Sequence, residues 1–193
     1  MMGKLKKLTG YRLFLPLSCL IIVLLINLIT TPTFFKITIN NGVLYGYIID
    51  VINRASELVV LAVGMTLVVS ASAGTDISVG AVMAVAAAVC TRVLAGGEVS
   101  VNEYANPYIL AVLAALAVAV VCGGFNGFLV AKLKIQPMVA TLILFTAGRG
   151  ISQLVTNGQI TYIRVDGYKL LGNNIPGIPI PTPIFVAVIV VAL

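Results

Sequence analysis

Histidine and tryptophan are both missing from the 193 residues, and only 9% of the residues carry charge. The lack of histidine removes the commonest general base and the commonest metal ligand. No GxxxxGK[ST] run is present, which excludes ATP hydrolysis by the usual phosphate loop. Without tryptophan, any aromatic belt at a membrane surface rests on tyrosine. The three cysteines, Cys19, Cys90 and Cys122, lie in apolar runs without CxxC spacing and read as small packing residues. No carboxylate pair or metal-ligand cluster is visible, so neither a catalytic residue nor a metal site is expected.

What is present is hydrophobic sequence: 60% of the chain, with a mean hydropathy of +1.13. A soluble domain carries about 25% charged residues. The composition therefore describes an all-α, polytopic transmembrane bundle. The net charge of +6 does not point to nucleic acid. Four of the twelve basic residues, Lys4, Lys6, Lys7 and Arg12, precede the first apolar run and the rest are scattered. That pattern marks a cytoplasmic N-terminus.

The chain is organised around Gly64 to Gly80, GMTLVVSASAGTDISVG. Uncharged sequence runs from Leu58 to Thr75 and again from Ile77 to Thr91. Each run is only just long enough, or slightly too short, to cross ~30 Å of hydrocarbon at ~1.5 Å per residue. Two short helices are thus expected to meet at a break carrying one carboxylate, Asp76, and a hydroxyl, Ser78. Interrupted helices of this kind build solute sites in transporters, because freed helix ends can face a wet cavity.

Taken in order, the apolar runs place spans near residues 13–30, 56–72, 78–94, 108–130 and 137–155. An incomplete one comes last at 184–193, and we expect the sequence to be truncated there. A retained span is preferred to a signal peptide for residues 13–30, since no small-x-small cleavage site comes after it. The segment from Lys36 to Arg54 reads as an outer loop with a short interfacial helix near Ile48 to Ala55. The proline-rich stretch PGIPIPTP, Pro176 to Pro183, cannot continue a helix and marks an extended entry to the membrane. Alternating the spans brings Lys132 and Lys134 to the side of the N-terminus, as the positive-inside rule requires.

Asp76 is the sharpest candidate. An ionised carboxylate at the membrane centre costs ~3 kcal/mol, so it needs a partner, a cavity or an interface. It can cap a helix beginning at Ile77, with Ser78 assisting, and it can also touch a solute. Arg149 lies inside the fifth span, six residues or ~9 Å from Val155. Snorkelling covers only part of that distance, so a structural ion pair or a clamp on backbone carbonyls is expected. Gly64, Gly74 and Gly80 are expected to permit bending and close packing. Gly123 and Gly127 form a GxxxG, a helix-packing motif with Asn126 as a polar tie. Gln153, Thr156, Asn157 and Gln159 gather at the outer end of the fifth span, where they either meet solute or a binding protein or are simply solvated.

The stretch GMTLVVSASAGTDISVGAVMA resembles the sugar-type permease subunits of bacterial ABC importers, the ribose/xylose/galactofuranose group. Their Gly-Gly-Ile-Asp-Leu-Ser-Val-Gly motif reads here Ala73-Gly74-Thr75-Asp76-Ile77-Ser78-Val79-Gly80. The resemblance continues through Phe125-Asn126-Gly127, Lys132 to Pro137 and Val139 to Ile160. Ala73 and Thr75 replace the motif's first Gly and its Ile. The segment before Asp76 is also one residue longer than the family pattern, which on a helix rotates the later residues by ~100°.

The resemblance implies that residues 1–193 form one permease domain, the N-terminal part of a longer family domain, in the bacterial inner membrane. The implied solute is a monosaccharide, a furanose such as galactofuranose or ribose. The substrate pathway would include Asp76, Ser78, Asn126 and Gln153. Implied partners are an ATP-binding cassette ATPase, an extracytoplasmic sugar-binding protein, a second permease copy or paralogue, and membrane lipid, but not nucleic acid. ATP would be bound by the ATPase, with no cofactor on this chain. Two alternatives stay open: the same architecture serving an amino acid, a nucleoside or autoinducer-2, or a truncated fragment that transports nothing. Under the sugar reading, Asp76→Ala should reduce uptake more than abundance, and Arg149→Ala should lower the amount of folded protein.

Overall fold

The computed structural model describes residues 13–40, 43–165, 167, 168, 172, 178 and 180–192. The basic segment before residue 13 lies outside the described residues, as do Pro176, Gly177 and Pro179 of the proline-rich stretch and Leu193. Among the described residues the elements run α1 (Phe14–Thr30), β1 (Thr38–Asn40), β2 (Val43–Tyr45), α2 (Tyr47–Ser72), α3 (Val79–Ala95), β3 (Ser100–Val101), α4 (Tyr108–Ala131), α5 (Pro137–Val155), β4 (Tyr162–Ile163) and α6 (Thr182–Ala192). Three of the helices, α2, α4 and α5, are long and apolar enough to cross a membrane, and the other three are shorter apolar helices. The chain is a multi-pass, helical membrane protein.

Most helix ends match the apolar runs to within a residue or two. Pro137 opens α5, where its missing N–H has no helical partner to lose. Gly96, with φ 59°, closes α3 in the left-handed conformation common at helix C-termini. Arg92 adds a bond to the Gly97 carbonyl at 2.7 Å, and the Asn106 amide one to the Val93 carbonyl at 2.8 Å.

The largest departure is α2. The short interfacial helix expected near 48–55 and the span expected at 56–72 are one continuous helix of 26 residues. No proline interrupts it, and Asp50 in its first turn suits the positive end of the helix dipole. Its charged residues, Asp50, Arg54 and Glu57, sit in the first turns. The charges therefore mark where the helix leaves the hydrocarbon, not where it ends.

The helix ends at Ala73, which has φ 52°, a conformation that costs a residue with a Cβ about 1–2 kcal/mol. The family motif has glycine here. Ala73→Gly should therefore stabilise the chain by ~0.5–1 kcal/mol, after allowing for the greater freedom of glycine in the unfolded state. A melting curve in detergent checks this: the midpoint should rise by about 2 °C, and a fall would contradict the strain.

The core forms where α3 packs on α4 and α5. On α3 the stripe Ala81, Val85 and Ala88 is buried, and Ala140, Leu144 and Gly148 answer it on α5. These residues are mostly small, so the backbones approach closely, as packing between membrane helices favours. A Cβ at Gly148 would lie 2.9 Å from the Ala81 Cβ. Helix α2 packs instead on α6, with Ser56 and Ala187 buried. No residue of α1 is buried.

Short strands tie the connections. β1 and β2 pair antiparallel ahead of α2. β3 and β4 pair parallel, Ser100 with Tyr162 and Val101 with Ile163. The second pair joins the segments that come after α3 and α5, so both helices end on the same side of the bundle.

Candidate solute-pathway site

The break between α2 and α3 is held by contacts from three directions. Gly74 lies against Pro137 at the start of α5, and a Cβ there would sit 2.7 Å from the proline ring. The role expected of Gly74, close packing, is thus realised against α5. Gly64, Gly80, Gly123 and Gly127 differ: a Cβ on any of them meets no neighbouring atom within 4 Å. Among the described residues nothing packs on the GxxxG of α4, and α4 meets the start of α3 through Asn126.

Asp76 stands at the centre of the break. Its Oδ1 accepts the Ser78 backbone N–H at 2.7 Å and the Ser78 hydroxyl at 2.7 Å. The Asn126 amide, from α4, donates to the Ser78 Oγ at 2.8 Å and reaches the Asp76 Oδ2 at 3.5 Å. The Ile77 N–H donates to the Thr141 Oγ1, from α5, at 3.2 Å. Ser78 is completely buried, and Asn126 and Thr141 nearly so. One small polar network thus joins the first turn of α3 to α4 and α5.

The cap expected of Asp76 is placed differently from the sequence reading. The helix starts at Val79, not Ile77, and the residue at its N-cap, Ser78, makes no side-chain capping bond into the helix. Asp76 holds the N–H just ahead of the helix, and Ser78, two residues later, supplies that bond. Its carboxylate faces no cation among the described residues, so hydrogen-bond donors balance the charge.

The Asn126 orientation is set by the same network. Ser78 gives its proton to Asp76, so the Ser78 Oγ can only accept, and Asn126 must turn its NH₂ group toward it. The Asn126 Oδ1 is left buried without a partner.

Of the four pathway candidates, the structure brings Asp76, Ser78 and Asn126 together. Gln153 stands apart, twelve residues beyond Thr141 or ~18 Å along α5. It is exposed and lines a separate cavity between the later turns of α3 and α5. Thr141 is not among the residues expected from sequence. Its signal is present there: it lies beside Ala140 in the stripe that continues to Leu144 and Gly148, so a hydroxyl falls on a buried face.

Among the described residues Arg149 makes neither the ion pair nor the carbonyl clamp expected of it. It is exposed, and its guanidinium lies over the Phe145 ring one turn earlier, 4.9 Å from the centroid. The aromatic face supplies the attraction that a carboxylate would otherwise provide.

At the opposite end of the bundle Tyr104 and Tyr108 pack with ring centroids 5.9 Å apart. The Tyr104 hydroxyl is buried without a partner. Burial pushes the Tyr104 phenol above its ordinary range, and burial does the same for Tyr168. Among the described residues no group of His, Cys, Asp and Glu could hold a metal ion.

A membrane bundle with an interrupted helix, and a carboxylate locked into the interruption by neighbouring helices, is built as a transport protein is built. Comparison with known proteins agrees. Residues 47–193 match the family described as branched-chain amino acid transport system / permease component, and the chain belongs to that family.

Among curated proteins it is 42% identical over 177 residues to the galactofuranose transporter permease protein of Escherichia coli (strain K12), covering 92% of this chain and 49% of that protein. It is 36% identical over 171 residues to the fructose import permease protein FruF of Bifidobacterium longum (strain NCC 2705), covering 88% and 44%. With the ribose import permease protein of Escherichia coli (strain K12) the identity is 32% over 179 residues, covering 90% and 50%. The chain spans about half the length of the curated relatives it matches. No solved structure matches it.

Proposed function

We propose that this chain forms part of the membrane pathway of an ABC importer that brings a monosaccharide across the bacterial inner membrane. The observation that carries the reading is the 42% identity to a galactofuranose permease, which extends over 92% of this chain. A separate ATPase would bind ATP, and an extracytoplasmic binding protein would deliver the sugar. A second permease, the same or a paralogue, would complete the pathway. The chain itself would bind no cofactor and change no covalent bond. It would offer polar groups to a hydroxylated solute inside an apolar membrane, weakly enough for the solute to leave again. The N-terminus would face the cytoplasm.

The family description names branched-chain amino acids, which makes an amino-acid solute the second reading. A zwitterion is best held by opposed charges that are both free to meet it. Here the Asp76 Oδ1 is already engaged by Ser78, and Arg149 lies on an exposed face over Phe145. Those two placements favour a neutral solute.

Partnership is tested by purifying the chain, tagged at its own locus, from membranes solubilised in mild detergent. Co-purification of a protein that hydrolyses ATP is expected. A chain that consistently comes away alone, with no ATPase activity under several detergents, would defeat the importer reading.

A further inference from the structure

A cavity of about 270 Å³ lies between α3 and α5, well away from the Asp76 network. Its α3 wall is Ala84, Ala87 and Ala88, spaced as one helix face and too small to fill the gap. Opposite stand Ser152 and Gln153 of α5 and Thr156 at its C-cap, with Thr91 at the far end of the α3 wall.

The roof has a structural cause. α5 ends with Asn157 and Gly158 both left-handed, φ 55° and 69°, and the Gly158 N–H returns to the Gln153 carbonyl at 2.7 Å. That turn brings Gln159 and Thr161 to the cavity. The β3–β4 pair holds them there, with the Tyr162 N–H on the Val99 carbonyl at 2.7 Å.

The chemistry of the lining is selective. It includes no charged side chain, so an ionic solute would find no counter-charge. The Thr91 hydroxyl donates to the Ala87 and Ala88 carbonyls, each at 3.0 Å. Ser152 donates to the Arg149 carbonyl at 2.9 Å, and Thr156 to the Ser152 carbonyl at 3.1 Å. These three hydroxyl protons are thus occupied by nearby backbone carbonyls, and Thr91, Ser152 and Thr156 offer acceptor oxygen to the cavity. A ligand rich in O–H donors is the complement. The Gln153 and Gln159 amides add both donors and acceptors. The volume equals about nine waters at ~30 Å³ each, room for a single sugar ring.

We infer that this cavity is a monosaccharide subsite, separate from the Asp76 network. Sugar O–H groups would be received by Thr91, Ser152 and Thr156, and oriented by Gln153 and Gln159. The inference rests on the sugar-permease reading. It divides the site into a structural lock at one end of α3 and a solute-binding pocket at the other.

The test measures uptake of labelled D-galactose, D-ribose and D-fructose by intact cells making the chain from its own locus, so that every partner is present. Gln153→Leu should raise the apparent KM for the transported sugar about 3- to 10-fold, the effect of one or two lost neutral hydrogen bonds. Ala84→Leu, at an exposed position of the α3 wall, narrows the cavity and should raise it further at equal abundance.

A second measurement does not depend on turnover. With Cys19, Cys90 and Cys122 replaced by alanine, Thr156→Cys should react with a maleimide, and the transported sugar should protect it at concentrations near the KM. Uptake with unchanged KM in Gln153→Leu, or labelling that the sugar leaves untouched, would overturn the subsite while leaving the sugar reading intact. No uptake of any of the three sugars by the unaltered protein would overturn both.

Discussion

Asp76→Ala is expected to abolish uptake and also to reduce the folded protein, while Asp76→Asn should restore the fold. The Asp76 Oδ1 receives two short bonds from Ser78, one from its N–H and one from its hydroxyl. Hydrogen bonds to a charged group contribute ~1.5–3 kcal/mol each. Their loss also leaves donors unsatisfied at a residue that is completely buried. The combined effect, ~3–6 kcal/mol, is a large fraction of the ~5–15 kcal/mol that holds a typical domain together.

Asparagine keeps the Oδ1 acceptor and removes the charge, at the cost of turning Oδ2 into an NH₂ that faces the Asn126 amide across the longer 3.5 Å contact. Fluorescence-detected size exclusion and thermal midpoints separate the two effects. Normal abundance in Asp76→Asn with lost uptake would assign the charge itself to transport. An Asp76→Ala protein as abundant and as stable as the unaltered chain would show that the network carries no weight. Sequence alone places the loss mainly on uptake, and the bonds to Ser78 move part of it to folding.

Gly148→Leu should have the second large effect. Even the Cβ of alanine at this position would lie 2.9 Å from the Ala81 Cβ and 3.4 Å from the Ala81 carbonyl oxygen. The neighbour there is backbone and a short side chain, so it cannot swing aside. Overpacking by one carbon costs ~1–3 kcal/mol, which is the expected loss for Gly148→Ala. Leucine would force α3 and α5 apart along the seam that includes the Ile77–Thr141 bond, and the chain should no longer accumulate as a monodisperse species.

Gly150, on the same helix, provides the control, because a Cβ there meets no neighbouring atom within 4 Å. Gly150→Ala should be neutral or gain up to ~1 kcal/mol in helix propensity. The same detergent melting series measures all three, and a Gly150→Ala protein less stable than Gly148→Ala would contradict the packing.

Much of this architecture is written in local pattern. Predominantly apolar runs bounded by proline, lysine or glycine locate α1, α3, α4 and α5, since both the membrane and the helix act on consecutive residues. The break is visible because Gly74, Asp76 and Ser78 interrupt two runs that are each only just long enough. Asp76, Ser78 and Asn126 stand out separately in the sequence and are joined in the structure. Thr141 can be placed on the buried stripe of α5, but its partner cannot be read, because its bond to Ile77 crosses 64 residues of sequence and hydrophobic periodicity carries no such information. The same limit explains Gly148, whose role depends on Ala81 across a helix interface. Sequence misplaces the start of α2 because Asp50 and Arg54 look like the end of a span, when a helix can run on past the hydrocarbon. For Arg149 a carboxylate is the obvious partner to expect, yet Phe145 stands one turn away and takes that place.

Sugar transport itself is tested most directly by uptake of labelled D-galactose, D-ribose, D-fructose and L-leucine in intact cells, with the chain's gene deleted and then restored. ATP-dependent uptake of at least one of the sugars should vanish on deletion and return with the chain, while leucine uptake stays constant. Sugar uptake that is indifferent to the deletion, or leucine uptake that tracks it, would contradict the assignment.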